Sequence, residues 1–237
     1  MNILLLTAGG LGKRMGMSVP KQFVEVNGKP IIVHTLEVFE KLPFIDGIVI
    51  SCVEDWMPRL QKYIDNFGIT KVIRIVSGGD TGQDSIYNGV SEIRKMFPPD
   101  TLVLVHDGVR PLILPETIEK NIQEAINHGS AVTCVPLTET VITHDGDSIN
   151  PINRSKSLIA RAPQTFRLGD IIEVHEKARN EGKHDFIDTC TMMLYYGRKI
   201  NVVMGSPENI KITTPSDIFA FKAFLQKREN EYFLKQE

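Results

Sequence analysis

A continuous apolar run opens the chain, and it leads into a loop rich in glycine. Residues 2–7 (NILLLT) do not alternate with polar residues, which predicts a strand buried on both faces. In the loop that follows, at residues 8–16, glycine stands at positions 9, 10, 12 and 16. This order is typical of an open α/β sheet, in which ligands bind beyond the carboxyl ends of the strands. The first residues therefore predict both a fold class and the place of a site.

The alternation of apolar strand and amphipathic helix continues along most of the chain. Further strands are predicted at residues 47–52, 71–76, 101–106 and 131–135. Helices are predicted from Pro30 onward, at about 55–67 and 84–96, around 118–126, and at 168–180 and 188–197. Strands separated by helices are joined by right-handed crossovers. The pattern therefore predicts an α/β fold of Rossmann-like type, with a mostly parallel sheet and helices on both faces.

The last part of the chain predicts two short strands and a terminal helix. The strands lie near residues 199–203 and 209–212. The helix starts at Pro215, and the charged tail from Lys227 is expected to fray. We expect this helix to bury five apolar side chains, which are Ile218, Phe219, Phe221, Phe224 and Leu225.

Residues 138–160 interrupt this rhythm. Within them, 140–143 and 148–150 predict the strands of a β-hairpin, with a tight turn at 145–147. The hairpin has few apolar residues to bury by itself, so we expect an arm that projects from the main sheet or packs on another subunit. Nothing else divides the chain, and residues 1–237 are predicted to form a single domain.

Charge and cysteine content exclude several classes of function. The chain has 27 Lys and Arg against 29 Asp and Glu, and this balance gives no reason to expect binding to nucleic acid or to an anionic membrane. Cys52, Cys134 and Cys190 lie far apart, so neither a disulfide framework nor a zinc site is indicated. The opening apolar run is too short for an export signal, and we expect a cytoplasmic protein.

The glycine-rich loop has the composition of a phosphate-binding loop. Gly9, Gly10 and Gly12 would let backbone N–H groups approach a phosphate without a Cβ in the way. Arg14 and Lys21 add the positive charge that a triphosphate needs. The Walker pattern and the dinucleotide pattern GxGxxG are both absent. From the residues alone, a tight turn with a solvated basic loop remains the alternative.

Six motifs in order resemble one enzyme family over nearly the whole chain. They are residues 7–15 with Pro20-Lys-Gln-Phe23, Gly78-Gly-Asp80 through Ser85, Val105-His-Asp-Gly-Val-Arg-Pro111, Asn153-Arg154, Ala162-Pro-Gln-Thr-Phe166, and Asn209-Ile-Lys-Ile-Thr213. Together they are similar to cytidylyltransferases that act on 2-C-methyl-D-erythritol 4-phosphate or ribitol 5-phosphate. The resemblance implies a Mg²⁺-dependent reaction in which a polyol phosphate attacks the α-phosphate of CTP. The products would be a CDP-polyol and pyrophosphate.

The resemblance also implies roles for single residues. Arg14, Lys21, Arg154 and Lys211 would be catalytic, the first two at the triphosphate and the last two at the acceptor phosphate. CTP would be held by Ala8, Gly9, Gly10, Leu11, Gly12, Gly79, Asp80, Ser85, Asp107 and Gly108. The acceptor would contact Asp107, Arg110, Thr140, Arg154 and Lys211. The metal ligands would be Asp107 and, as a weaker candidate, Glu208. Thr140 and Arg154 flank the arm, which implies a homodimer whose arms are exchanged to complete the sites.

Several of these residues have a plainer interpretation from the sequence alone. Asp107 could cap the turn before Pro111 rather than bind Mg²⁺. Lys211 and Arg154 could be solvated surface charges. His106 is not expected to act as a general base, because the attacking phosphate monoester is already ionised near neutral pH.

Three positions depart from the family pattern. Gly82 stands where relatives commonly have arginine, and Ala162 stands where they commonly have threonine. Ile187 stands where the erythritol enzymes often have threonine. A pocket that has lost hydroxyl groups is expected to prefer a different polar ligand. We therefore favour ribitol 5-phosphate or a related alditol phosphate, with methylerythritol phosphate as the alternative.

Two other classes of protein remain to be distinguished. The loss of arginine at position 82 leaves room for a nucleotide-binding regulatory protein with a degenerate catalytic site. A dinucleotide-dependent oxidoreductase would need the absent GxGxxG pattern.

Overall fold

A seven-stranded sheet forms the centre of the molecule. The structure is a computed structural model that describes residues 1–10, 19–146 and 148–234. The strand order is β11-β7-β10-β6-β1-β4-β5. Strand β10 runs antiparallel to both neighbours, and the other strand pairs of this described sheet are parallel. The predicted α/β fold with a mostly parallel sheet is confirmed.

Strands and helices alternate along most of the chain, except at β2–β3, at β7–β10 and at α5–α6. The strands are β1 Asn2–Ala8, β2 Glu25–Val26, β3 Lys29–Pro30, β4 Gly47–Cys52, β5 Val72–Ser77, β6 Leu102–Asp107, β7 Ser130–Pro136, β8 Ile142–Asp145, β9 Ser148–Pro151, β10 Leu158–Arg167 and β11 Val202–Met204. The helices are α1 Ile31–Glu40, α2 Met57–Asn66, α3 Gly82–Met96, α4 Pro115–His128, α5 Leu168–Asn180, α6 Thr189–Tyr195 and α7 Pro215–Leu234.

The sheet carries a hydrophobic core on each face. Side chains alternate along β1, so that Leu4 and Leu6 join the core cluster shared with α1, α2 and α4. Ile3 and Leu5 point to the opposite cluster, shared with α3, α5 and α6. This explains why β1 is a continuous apolar run, since both of its faces are covered.

Two strand predictions differ from the structure. The prediction of a strand at 209–212 is wrong, because this segment makes an isolated backbone bond from Ile212 N to Val109 O (3.0 Å) and no ladder. Strand β10 was not predicted. It contains Pro163 near its middle, which lacks an N–H group for a ladder and so does not indicate a strand.

The terminal helix α7 is longer than expected and buries fewer residues. It continues to Leu234, past the predicted fraying point at Lys227. Phe221 is fully buried, and Ile218, Phe224 and Leu225 pack partly buried around it. The prediction that Phe219 is buried is wrong, since 74% of it is exposed. Position 219 falls outside the three-to-four-residue spacing that places 218, 221, 224 and 225 on one face.

The hairpin arm is present as expected. Strands β8 and β9 pair antiparallel as a separate two-stranded sheet, and their residues are exposed throughout. Gly146 has a φ of 56°, as the turn between them requires. Ile142 and Ile149 are more than half exposed on this arm.

In the part of the chain that the structure describes, no helix has the length and apolar content needed to cross a bilayer.

Candidate active site

A cleft of about 750 Å³ opens at the carboxyl edge of the parallel strands. Its walls come from the ends of β1, β4, β5 and β6 and from the beginning of β10. Strand β10 pairs with β6 only from Gln164, opposite Val105, to Arg167, opposite Leu102. The first half of β10 therefore leaves β6 and forms a separate wall beyond Asp107. This divergence creates the space.

One wall is made by glycines packed closely around a serine. A Cβ on Gly9 would lie 2.6 Å from Ser85 Oγ, so no larger residue fits there unless Ser85 moves. Ser85 Oγ accepts a hydrogen bond from Gly79 N (3.0 Å) and donates one to Thr81 O (2.9 Å). Thr81 caps α3, since its Oγ1 accepts from Asp84 N (3.0 Å). The serine thus joins the first-strand loop to the start of α3.

Gln22 fixes the ends of the described part of the glycine loop. It lies in a short 3₁₀ helix, Lys21–Phe23, and is 1% exposed. Its Nε2 donates to Ala8 O (2.7 Å) and to Gly10 O (3.1 Å). The ring of Phe23 stacks on Trp56 with centroids 4.7 Å apart. Gln22 belongs to the Pro20–Phe23 motif, but the motif by itself indicated no role for this side chain.

Asp107 is the centre of a cluster of charges on the opposite wall. Its Oδ2 lies 2.7 Å from Arg110 Nε, and its Oδ1 lies 2.6 Å from Lys211 Nζ. Burial alone would raise the pKa of Asp107, but the ammonium of Lys211 and the guanidinium of Arg110 outweigh it and hold the pKa well below its usual range. Asp107 is therefore ionised, and it holds both cations beside the cleft.

His106 bonds locally, as expected. The side chain is 1% exposed, and its Nε2 lies 3.2 Å from Arg110 O. Burial lowers the pKa of His106 to about 4, so the imidazole is neutral at physiological pH. It supports the turn that carries Asp107 and Arg110.

The β10 wall carries Arg161, which the sequence did not single out, close to Gln164 of the Ala162–Phe166 motif. Arg161 Nη1 donates to Pro207 O and to Asn209 O, both at 2.9 Å. Gln164 Nε2 donates to Asp188 Oδ2 (2.8 Å), and Asp188 caps α6. Beside it, Ile187 is 93% exposed at the cleft. No motif marks Arg161, because its place depends on where β10 leaves β6.

The structure brings most of the expected site residues together. Those that line the cleft are Ala8, Gly9, Gly10, Lys21, Gly79, Asp80, Ser85, Asp107, Arg110 and Lys211. Leu11, Gly12 and Arg14 lie outside the described residues.

Four expected residues lie elsewhere. The backbone of Gly108 bonds to Thr7 O (2.9 Å) beneath the cleft. Thr140 and Arg154 are exposed on the arm, where Arg154 Nη1 donates to Thr138 O (3.1 Å). Glu208 forms ion pairs with Lys227 (2.8 Å) and Arg228 (3.8 Å) and does not line the cleft.

Acidic residues in the cleft do not form a metal cage. Within the described ranges, no group of three or more His, Cys, Asp or Glu side chains could hold a metal ion. The geometry does not bring Glu208 to Asp107, so it gives no support to Glu208 as a second ligand. Of the two predicted metal ligands, Asp107 lines the cleft and Glu208 does not.

An open α/β sheet with a glycine-lined, cation-bearing cleft at its carboxyl edge is an arrangement typical of nucleotide-binding α/β proteins, and the family match identifies this one as a nucleotidyltransferase. The chain belongs to the IspD family, described as 2-C-methyl-D-erythritol 4-phosphate cytidylyltransferase, whose model matches residues 2–227. The predicted enzyme class and family are thereby confirmed.

Individual relatives extend over the same length. The chain is 47% identical to a ribitol-5-phosphate cytidylyltransferase of Streptococcus agalactiae, covering 98% of each chain. It is 38% identical to a 2-C-methyl-D-erythritol 4-phosphate cytidylyltransferase of Geotalea uraniireducens, covering 96% of this chain and 97% of that one. The crystal structure of 4-diphosphocytidyl-2C-methyl-D-erythritol synthase from Anaerococcus prevotii superposes with a TM-score of 0.80 at 28% identity, covering 95% of this chain and 96% of that one.

Proposed function

We propose that this cytidylyltransferase transfers the cytidylyl group of CTP to ribitol 5-phosphate or a related alditol phosphate. The observation that carries the proposal is a single cleft with two chemically different walls. Glycine backbone and Ser85 form one wall, and the Asp107 charge cluster forms the other. A nucleotide and a phosphorylated acceptor can therefore meet between them.

The glycine wall suits the nucleotide. Gly9, Gly10 and Gly79 let a ligand come close to the backbone, and Lys21 supplies a cation beside them. Arg14 is proposed to join Lys21 at the triphosphate. Nothing is within 4 Å of where a Cβ on Gly82 would be, so the missing arginine leaves open space near the proposed base site.

The proposed reaction is an in-line displacement. An oxygen of the acceptor's phosphate forms a bond to the α-phosphorus of CTP, and the bond from that phosphorus to the β-phosphate oxygen breaks. Pyrophosphate leaves, and no proton must be removed from the nucleophile. The side chains therefore act by position and charge: Lys21 faces the triphosphate, and Lys211 faces the acceptor.

Mg²⁺ is proposed as the cofactor, held by Asp107. Mg²⁺ that arrives with a nucleotide needs only one or two protein carboxylates, because phosphates and water complete its shell. One ionised carboxylate at the end of β6 fits this requirement, and Mg²⁺ would take the place of Lys211 or Arg110, each of which pairs with one of its oxygens. When bound, the ion would neutralise charge that develops on the phosphates.

The choice of acceptor is supported by two apolar residues in the cleft. Ala162 and Ile187 both line it and present no hydroxyl group. The greater identity to the ribitol-named relative points the same way. Methylerythritol phosphate remains the alternative acceptor.

The arm is proposed to complete the site of a second copy. Thr140 and Arg154 are exposed, and the arm buries almost nothing within its own chain. A homodimer with exchanged arms would place both residues at a partner's cleft.

The three buried cysteines carry no disulfide, which supports the proposed cytoplasmic location.

Pyrophosphate release is the direct test of this function. Enzyme, CTP and Mg²⁺ are mixed with ribitol 5-phosphate, methylerythritol 4-phosphate or another alditol phosphate. We expect the highest kcat/KM with ribitol 5-phosphate. A preference for methylerythritol 4-phosphate would select the alternative, and CTP binding without turnover on any acceptor would select a regulatory nucleotide-binding protein.

A further inference from the structure

Two guanidinium groups converge on one backbone oxygen at the β10 side of the cleft. Arg110 Nη1 and Arg161 Nη1 both donate to Asn209 O, at 3.0 and 2.9 Å. Arg110 is balanced by Asp107, 2.7 Å away. Arg161 has only carbonyl partners, Pro207 O and Asn209 O. Over the residues the structure describes, no carboxylate forms an ion pair with Arg161.

This arrangement is unfavourable in the absence of an anion. Arg161 is half-buried, and burial lowers the pKa of its guanidinium, with Arg110 lowering it further. Partial burial of like charges costs free energy unless a counter-charge is supplied. The uncompensated charge faces the cleft. It is therefore available to an anionic ligand.

The backbone around Arg161 is held in place. The register of β10 against β7 shifts between Ala160 and Gln164, so Arg161 sits in an irregular stretch of the strand. Asn209 Nδ2 donates to Ala162 O (2.7 Å), and Thr133 Oγ1 donates to Pro163 O (2.9 Å). Such irregularities re-aim a side chain, and the bonds fix the result. The guanidinium is thus prepared for a ligand before the ligand arrives.

The free side of the guanidinium suits a phosphate. Nη1 of Arg161 is used by the two carbonyls, whereas Nε and Nη2 have no partner in the described part of the protein. A guanidinium binds phosphate through paired N–H donors. Strand β10 lies next to β6, which ends in Asp107, and β6 separates it from β1 and the glycine loop. Arg161 therefore belongs to the acceptor half of the cleft.

We propose that Arg161, beside Arg110, forms a subsite that binds the phosphate monoester of the acceptor. This proposal rests on the proposed function. It deepens that function by assigning a cation of the same chain to the attacking phosphate. Arg154 lies on the exposed arm and does not line the cleft of its own chain. Arg161 positions the acceptor phosphate within each chain's own cleft.

Steady-state kinetics of Arg161→Gln and Arg161→Lys test the subsite. Glutamine retains a donor for the carbonyls but lacks the charge, and lysine keeps the charge without the paired donors. We expect Arg161→Gln to raise the KM for ribitol 5-phosphate about 10- to 100-fold. The KM of Arg161→Lys should lie between those of the native enzyme and Arg161→Gln. The KM for CTP should stay within about twofold. An unchanged acceptor KM in Arg161→Gln overturns the subsite.

Arg167→Gln is the matched control. It lies on the same strand at the opposite end, away from the cleft, and should leave both KM values unchanged. Thermal unfolding identifies any variant that is not folded. If Arg161→Gln is not folded, Arg161→Lys is used for the test instead. In that case an acceptor KM equal to that of the native enzyme overturns the subsite.

Calorimetric titration with inorganic phosphate separates the subsite from the proposed reaction. The native protein and Arg167→Gln should bind phosphate, and Arg161→Gln should bind it at least about tenfold more weakly. Equal binding by all three overturns the subsite. If this difference is found but no alditol phosphate supports turnover, the proposed function fails and the phosphate subsite stands.

Discussion

At the scale of single residues, the site depends on side chains that hold the backbone as much as on those that face a ligand. Gln22 is the clearest example, because one amide group donates to the carbonyls of Ala8 and Gly10. A carbonyl that loses its donor is free to turn into the space a phosphate would occupy. The glycine loop therefore needs Gln22 although the side chain itself is buried.

Gln22→Met should weaken CTP binding in a folded enzyme. Methionine is similar in length but has no N–H donor, so the buried carbonyl of Ala8 and the part-buried carbonyl of Gly10 both lose a partner, at a cost of about 1–3 kcal/mol for the buried one. We expect the KM for CTP to rise at least about tenfold while the acceptor KM changes little. Gln61→Met on α2, where the exposed amide donates to Asp65, serves as control. An unchanged KM for CTP would show that the loop holds its shape without Gln22.

At the scale of elements, the contact between α3 and β1 positions the glycine wall. Helix α3 starts at the cleft and carries Ser85 toward Gly9. Further along the helix, Gly89 lies directly over Leu5 of β1. A glycine in a helix usually costs stability relative to alanine, and here the close approach of helix and strand explains its presence.

Gly89→Ala should destabilise the protein, and Gly82→Ala should not. A Cβ on Gly89 would lie 2.2 Å from Leu5 Cδ1 in the fully buried core, whereas one on Gly82 meets nothing within 4 Å. We expect Gly89→Ala to lower the free energy of unfolding by about 1–3 kcal/mol. Gly82→Ala should raise it by up to about 1 kcal/mol through helix propensity. Urea denaturation of both variants measures the difference, and equal stabilities would contradict this packing.

At the scale of the whole molecule, the exposed arm connects the proposed homodimer to the proposed function. Each chain supplies Lys21 to its own cleft, while Arg154 lies on an arm that the chain does not cover. If arms are exchanged, Lys21 and Arg154 of one chain act in different clefts, and each cleft uses one of them from each chain. Defects in them should then complement each other.

Mixing Lys21→Ala with Arg154→Ala should restore activity. Each variant alone should be folded and nearly inactive. After refolding together, half of the dimers are mixed, and one of their two sites is intact. The expected recovery is about a quarter of native turnover. Measured pyrophosphate release that stays at the level of the single variants would show that Arg154 serves its own chain's cleft or none.

Stability of the whole protein should fall in acid partly because of His175. This side chain is fully buried between α5 and α3, and within the described structure neither ring nitrogen has a hydrogen-bond partner. Burial, helped by Arg179, lowers the pKa of His175 to about 4. Below about pH 6.5 His175 binds a proton in the unfolded chain but not in the folded chain. This loss of stability therefore develops between about pH 6.5 and 4.

His175→Leu should remove this part of the acid sensitivity. Between pH 7 and pH 4 the native protein should lose about 3 kcal/mol more of its free energy of unfolding than the variant. His128→Gln, an exposed histidine on α4, is the control and should follow the native protein. Denaturant unfolding at both pH values gives the comparison. Parallel losses in His175→Leu and the native protein would contradict a buried neutral imidazole.

The sequence predicted the elements well where a regular pattern repeats. Helix α5 has the predicted bounds, because its apolar residues recur at helical spacing and Asn180 precedes a turn glycine, Gly182. Strand β10 was missed, because its residues near Arg161 and Pro163 show no strand period. Its ladder is supplied by β7 and β6. Local patterns cannot report a partner that lies elsewhere in the chain.

By itself, the sequence determined the strand–helix alternation, the glycine loop after β1 and the family, since each is written in short-range order. Only the tertiary structure decided that Arg161 faces the cleft, that Glu208 pairs with Lys227 and Arg228 instead, and that Arg154 lies outside. These outcomes depend on where β10 separates from β6 and on which distant charges meet. Long-range pairing and burial set both, and no local spacing encodes them.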